Sequence, residues 1–151
     1  MPYAPRFYSM IYQNFRDGKY DDGFKGLNNY RINKTSPTSF RKIYSQLVTV
    51  LDRIIESSAQ DKAGVQDQLV RSLVRSLVRL NILLEYQKKR GVVDEDLADG
   101  IKQALDEVRA SLQQPSNLAR ARELAIALRD SLDSFLAYVI YGKKGGEEYE
   151  F

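Results

Sequence analysis

The sequence predicts an all-α fold, a single-domain helical bundle of about five helices, one short and four long. Apolar residues recur at three- and four-residue spacing through four long stretches, which is the period of one buried helix face. Capping or breaking residues such as Ser36, Pro37, Gly91, Pro115 and Gly142 bound those stretches. No βαβ pattern, phosphate-binding glycine loop, RNA-recognition aromatic signature or zinc-finger spacing competes with that reading. A chain of 151 residues suits one core.

Residues 1–34 read as an aromatic-rich N-terminal arm containing Tyr3, Phe7, Tyr8, Tyr12, Phe15, Tyr20, Phe24 and Tyr30, interrupted by Gly18, Gly23 and Gly26. Phe7, Met10, Ile11 and Phe15 have helical spacing and Gly18 is a stop signal. The prediction is a short helix from about Pro5 to Arg16, then an irregular segment. The rings could stack on unpaired bases, but packing onto the arm's own domain or a partner is the commoner fate of such a segment.

The bundle proper is predicted over 35–142. Ser36 is a cap and Pro37 suits a first helical turn, opening a long helix with the stripe Phe40, Ile43, Tyr44, Leu47, Leu51, Ile54 and Ile55. Lys42, Gln46, Thr49 and Arg53 share its opposite face, with Arg41 at the boundary. A polar linker around Ser57 to Val65 turns the chain into an antiparallel central helix at 66–90. At about 100° per residue, Leu69, Leu73, Leu77, Leu80 and Leu84 fall on one arc, with Val70, Val74 and Val78 beside them. The same beat aligns Arg71, Arg75 and Arg79 on the next flank, and Lys88, Lys89 and Arg90 precede the stop at Gly91.

Asp94, Glu95, Asp96 and Asp99 lack the spacing and glycine of a calcium loop, so they are predicted to start a helix by complementing its dipole. That helix carries Leu97, Ile101, Ala104, Leu105, Val108 and Leu112. A break at Gln113 to Asn117 leads to a last helix, from about Leu118 to Tyr141, with Leu118, Ala121, Ala125, Leu128, Leu132, Phe135, Leu136 and Val139 on its buried stripe. Residues 143–151 read as a polar tail.

Composition narrows the function. The chain has no Cys and no His, which removes disulfides, thiolate and imidazole metal ligands, and Ser-His-Asp or Cys-His nucleophiles. The expectation is a non-catalytic protein with no cofactor and no metal. No long apolar run marks a signal peptide or membrane span, so a cytoplasmic protein without membrane contact is expected. Residues 1–90 hold 16 Lys and Arg against 8 Asp and Glu, whereas residues 91–151 hold 7 against 12. This asymmetry fits three arrangements: a polyanion-binding face, an intramolecular charge match, or head-to-tail self-association of copies. The Arg71, Arg75 and Arg79 ridge likewise has two readings, a solvated edge that pairs with nearby acids or a surface that meets phosphates.

Three stretches resemble, in order, those of the small subunit of type III-A CRISPR-Cas effector complexes, the Csm small-subunit family. SPTSFRKIYSQL at Ser36 to Leu47 is similar to that family's RKFY-type helix, and EYQKKRG at Glu85 to Gly91 to its Tyr-then-Arg segment. SFLAYVIYGKKGG at Ser134 to Gly146 resembles its terminal Ala-Tyr, Lys and Gly-Gly pattern, although Leu136 stands where the family often has an acid. The resemblance implies a non-catalytic helical subunit, stacked in copies along the duplex of guide RNA and target RNA and in contact with other subunits of the complex. It would contact RNA backbone independently of sequence. Arg41 and Lys42 match the family's RK pair and Arg90 its Arg, while Arg71, Arg75, Arg79, Lys88 and Lys89 enter as RNA-binding candidates from the cationic pattern alone. The alternatives are the small subunit of a type III-B complex and a helical adaptor whose basic ridge docks an acidic partner.

The leucine arc of the central helix is predicted to be core. Leu77→Ala should therefore cost about 2 to 5 kcal/mol, read as a lowered thermal midpoint; an unmoved midpoint would contradict the assignment.

Overall fold

A computed structural model describes residues 5–58, 66–114 and 118–142. Every regular element among them is helical: a π-helical segment Phe7–Tyr12 running into α1 (Gln13–Arg16), then α2 (Tyr20–Asn29), α3 (Pro37–Ser58), α4 (Gln66–Lys89), α5 (Glu95–Leu112) and α6 (Leu118–Phe135), which continues as a π-helical segment Leu136–Tyr141. The four long helices close a ring in which α3 packs on α4, α4 on α5, α5 on α6 and α6 on α3. The expected linker residues 59–65, the break at 115–117 and the tail 143–151 lie outside the described residues.

Local signals account for the boundaries of α3 and α4. The Ser39 N–H donates to Ser36 Oγ at 3.1 Å, so Ser36 satisfies a donor that the first turn leaves unpaired. At the far end of α4, Gly91 takes a φ of 77°. Its N–H donates to the Lys88 carbonyl at 3.0 Å, and Val92 N–H reaches back to Gln87 at 3.3 Å. Those paired bonds need a left-handed residue, which glycine supplies without a Cβ penalty. The run of α3 beside α4 is antiparallel, since Arg53 donates to Ser72 at 3.4 Å while Gln46 and Arg79 line one groove.

The expected irregular segment after α1 contains α2 instead, which adds a helix to the expected five. Gly23 and Gly26 allow close approach here and do not break the chain. A Cβ on Gly26 would lie 2.6 Å from the Met10 carbonyl oxygen, and one on Gly23 2.6 Å from the Phe15 ring. The segment is also part of the core: Phe7, Ile11, Tyr12, Leu27 and Tyr30 are fully buried. The rings of Phe7, Tyr30 and Phe40 converge on Phe135 at centroid distances of 5.7, 5.1 and 5.3 Å, within the range of favourable edge and tilted contacts.

Most of the sequence-predicted stripes are buried, including Leu73, Leu77, Leu80 and Leu84 of α4 and all six apolar positions assigned to α5. The valine arc of α4 departs from expectation. Val70 and Val74 are half-buried, and Val78 is exposed, because among the described residues α4 packs mainly against α3 and α5.

The acids that open α5 hold other segments in place. Asp94 occupies the N-cap position but makes no side-chain cap bond. Its buried carboxylate instead accepts from the backbone N–H groups of Asn33, Lys34 and Thr35 at 2.8, 2.7 and 2.9 Å, and from the Thr35 hydroxyl at 2.9 Å. Thr35 Oγ1 in turn accepts from Asp94 N–H at 2.9 Å. Asp96 takes the Arg6 backbone N–H at 2.8 Å and its Nε at 2.5 Å. Farther along α5, Glu107 accepts from the Tyr8 hydroxyl, from Tyr12 at 3.1 Å and from Arg16 at 3.0 Å. Burial disfavours the Asp94 charge, but the N–H groups of Asn33 and Lys34 and the Thr35 donors outweigh it and hold the carboxyl below its ordinary value.

A lowered folded pKa means that the stabilisation is complete above the ordinary carboxylate value of 3.8 and disappears as pH falls through the lower folded value. Asp94→Asn should cost about 1 to 3 kcal/mol at neutral pH and make the melting temperature less steeply pH-dependent below 3.8. An acid limb identical to that of the wild type would show that Asp94 is not the anchor.

Candidate nucleic-acid interface

The exposed side of α4 is built by the same periodicity that buries its leucines. With Arg71 as origin and about 100° per residue, Arg75 and Arg79 advance by about 40° each. They rise about 6 Å per step along the axis. All three are exposed. Among the described residues none of them forms a hydrogen bond or an ion pair.

Val78, Ile82 and Tyr86 occupy the same arc and are 38%, 55% and 60% exposed. Guanidinium groups therefore dominate one end of the stripe and exposed apolar side chains the other. Beside it, α3 and α4 enclose an open groove of about 410 Å³ lined by Ser45, Gln46, Thr49, Val50, Ser76, Arg79 and Leu80. The groove extends along α4 past Ile82 and Leu83 to Tyr86. Lys42 shares the exposed face of α3 with Gln46, Thr49 and Arg53. The result is a long strip whose lining mixes the polar side chains of Ser45, Gln46, Thr49 and Ser76 with Val50, Leu80 and Leu83, and to which the arginine row contributes Arg79.

The remaining sequence-predicted cations divide into tethered and accessible ones. Lys88 is turned toward α5, where its Nζ lies 3.0 Å from Asp99 and 3.5 Å from Glu85; the Asp99 bond outweighs desolvation and raises its pKa. Lys88 thus joins α4 to α5 and stands outside the strip. Lys89 is 3.6 Å from Glu85 but has an exposed side chain. Arg90 donates to Gln87 at 3.2 Å and sits 5.8 Å from the Tyr86 ring centroid. Arg41 donates to the Tyr141 hydroxyl at 2.8 Å and lies 5.8 Å from that ring. Lys42 is exposed with no partner among the described residues.

Ile82, Tyr86 and Arg53 were absent from the sequence-predicted set. Their helical phase is the signal that could have found them, since Ile82 and Tyr86 fall between the arginines on the wheel and Arg53 falls with Lys42. Among the described residues no group of three or more His, Cys, Asp or Glu is placed to hold a metal ion. No described helix is long and apolar enough to cross a membrane. Comparison with known protein families, curated proteins and solved structures yields no match.

The two kinds of cation should separate by mutation. Lys88→Ala breaks partly buried ion pairs and should cost about 0.5 to 1 kcal/mol, whereas Arg75→Ala should leave the melting temperature within error. Equal destabilisation by both would mean that Arg75 has a structural partner.

Proposed function

We propose that this chain is a non-catalytic small subunit of a type III-A CRISPR RNA-guided complex, which stacks in copies along the duplex of guide RNA and target RNA and grips its backbone without reading bases. The observation that carries the proposal is the unpartnered arginine row of α4. If Arg71, Arg75 and Arg79 were a structural edge, they would pair with acids of the bundle; instead they remain exposed and aligned. An arginine fork suits phosphate oxygens, and contacts of this kind position a protein on nucleic acid without specifying sequence. The order of the SPTSFRKIYSQL, EYQKKRG and SFLAYVIYGKKGG stretches supports the family assignment. Lys42 and Arg53, exposed on α3, add positive charge, and Arg41, Lys89 and Arg90 lie within reach of solvent.

One observation favours a second reading of part of the same stripe. Ile82 and Tyr86 are large, exposed and adjacent to the groove, a composition typical of protein interfaces. We assign that lower end of α4 to a neighbouring subunit and the Arg71 to Arg79 end to RNA. In the alternative adaptor reading, an acidic protein covers the whole stripe.

The triple variant Arg71→Ala, Arg75→Ala, Arg79→Ala tests the assignment. Its circular dichroism spectrum and melting curve should match the wild type, because no intramolecular partner is lost. Binding to single-stranded RNA should weaken, and its log-log salt slope should flatten by up to about 0.7 per lost contact. Unchanged affinity and slope would remove RNA from this ridge.

A further inference from the structure

A second feature lies where α1 and α2 meet α6. Phe15, Tyr20 and Phe24 on one side and Asp130, Asp133 and Ser134 on the other line a pocket of about 200 Å³. The three rings form a connected wall, with Phe15 5.8 Å from Tyr20 and 5.6 Å from Phe24 between centroids. Tyr138 extends the wall, 5.5 Å from Phe24. Tyr20, Phe24 and Tyr138 are 55%, 38% and 49% exposed. Gly23 permits this arrangement because any Cβ there would collide with the Phe15 ring.

The acids on the opposite side are not equivalent. Asp133 accepts a 2.5 Å bond from the Tyr44 hydroxyl and lies 3.7 Å from Arg129. Burial and that bond push the Tyr44 phenol up to about 12. Asp130 has no hydrogen bond or ion pair among the described residues. Burial and the neighbouring Asp133 carboxylate raise the pKa of this exposed acid, and the Arg129 charge offsets that shift only in part.

We propose that this pocket receives one arginine side chain from a basic segment of a partner protein, with the guanidinium against Asp130 and the aromatic wall. The volume decides the scale: small-molecule sites run from about 300 to 1,000 Å³, so the pocket suits a single side chain. The chemistry decides the residue. Arginine is planar and weakly hydrated, stacks on aromatic faces and pairs with carboxylates through a fork, while Ser134 Oγ offers a further acceptor. Lysine presents a strongly hydrated point charge that would use the rings less well. This pocket is formed by other residues than those of the α3 and α4 strip, and the inference does not depend on RNA binding.

The test uses the full chain, without RNA, and three capped tripeptides: Gly-Arg-Gly, Gly-Lys-Gly and Gly-citrulline-Gly. Binding is followed through the ring signals of Tyr20 and Phe24 by NMR. The arginine peptide should bind saturably and most tightly, and its neutral citrulline counterpart about tenfold more weakly, as expected for loss of a charge-assisted bond. Asp130→Asn should reduce arginine-peptide binding by a similar factor with an unchanged melting curve, and Phe24→Leu should weaken it by removing the stacking face. Equal affinity for arginine and citrulline peptides, or wild-type binding by Asp130→Asn, would overturn the proposal. So would self-association of the chain that Asp130→Asn abolishes, since a second copy would then occupy the pocket.

Discussion

The Asp94 carboxylate is the constraint on which the arrangement depends. A buried anion is tolerable only when its lone pairs are satisfied, and here three successive backbone N–H groups and a hydroxyl from residues 33–35 satisfy it. That bond set fixes the entry to α3 against the start of α5. Asp96 and Glu107 continue along α5 and fasten Arg6, Tyr8, Tyr12 and Arg16. The N-terminal helices are thereby seated over the Phe7, Tyr30, Phe40 and Phe135 cluster. One helix edge thus closes the bundle on that side.

The same edge explains part of the charge asymmetry. Acids of the C-terminal half are matched with cations of the N-terminal half, as in Asp96 with Arg6, Glu107 with Arg16 and Asp99 with Lys88. Intramolecular matching is therefore real but incomplete. The arginines of α4 face away from α5 and find no acid among the described residues, so their field extends into solvent and favours polyanions. The exposed apolar residues on the same arc, Val78, Ile82 and Tyr86, prevent the stripe from being a simple solubilising face. At the opposite sign, Asp130 makes no ion pair among the described residues and lines a pocket with an aromatic wall.

Long amphipathic helices were legible because their signals agree: Ser36 and Pro37 start α3, the leucine beat places α4, and Gly91 ends it. The ridge at Arg71, Arg75 and Arg79 was legible for the same reason, since phase on a helix follows from spacing. What the sequence concealed is tertiary. Gly23 and Gly26 look like breakers, yet they mark close approach, which depends on where Phe15 and Met10 lie. Lys88 resembles its neighbours Lys89 and Arg90, and only the fold brings Asp99 to it across the Gly91 turn. The acidic cluster was correctly placed at a helix start, but its grip on residues 6 and 33–35 spans about sixty or more positions of chain. Spacing carries no information at that range.

The central claim is that the free guanidinium groups of α4 form the core of the proposed RNA-facing surface. Its most direct test follows the arginine Nε signals of isotopically labelled protein during titration with a single-stranded RNA of arbitrary sequence. The account requires the signals of Arg71, Arg75 and Arg79 to shift together and to return as salt is raised, while those of Arg6 and Arg16 stay in place. Shifts confined to other arginines, or a spectrum that RNA leaves unchanged, would contradict it.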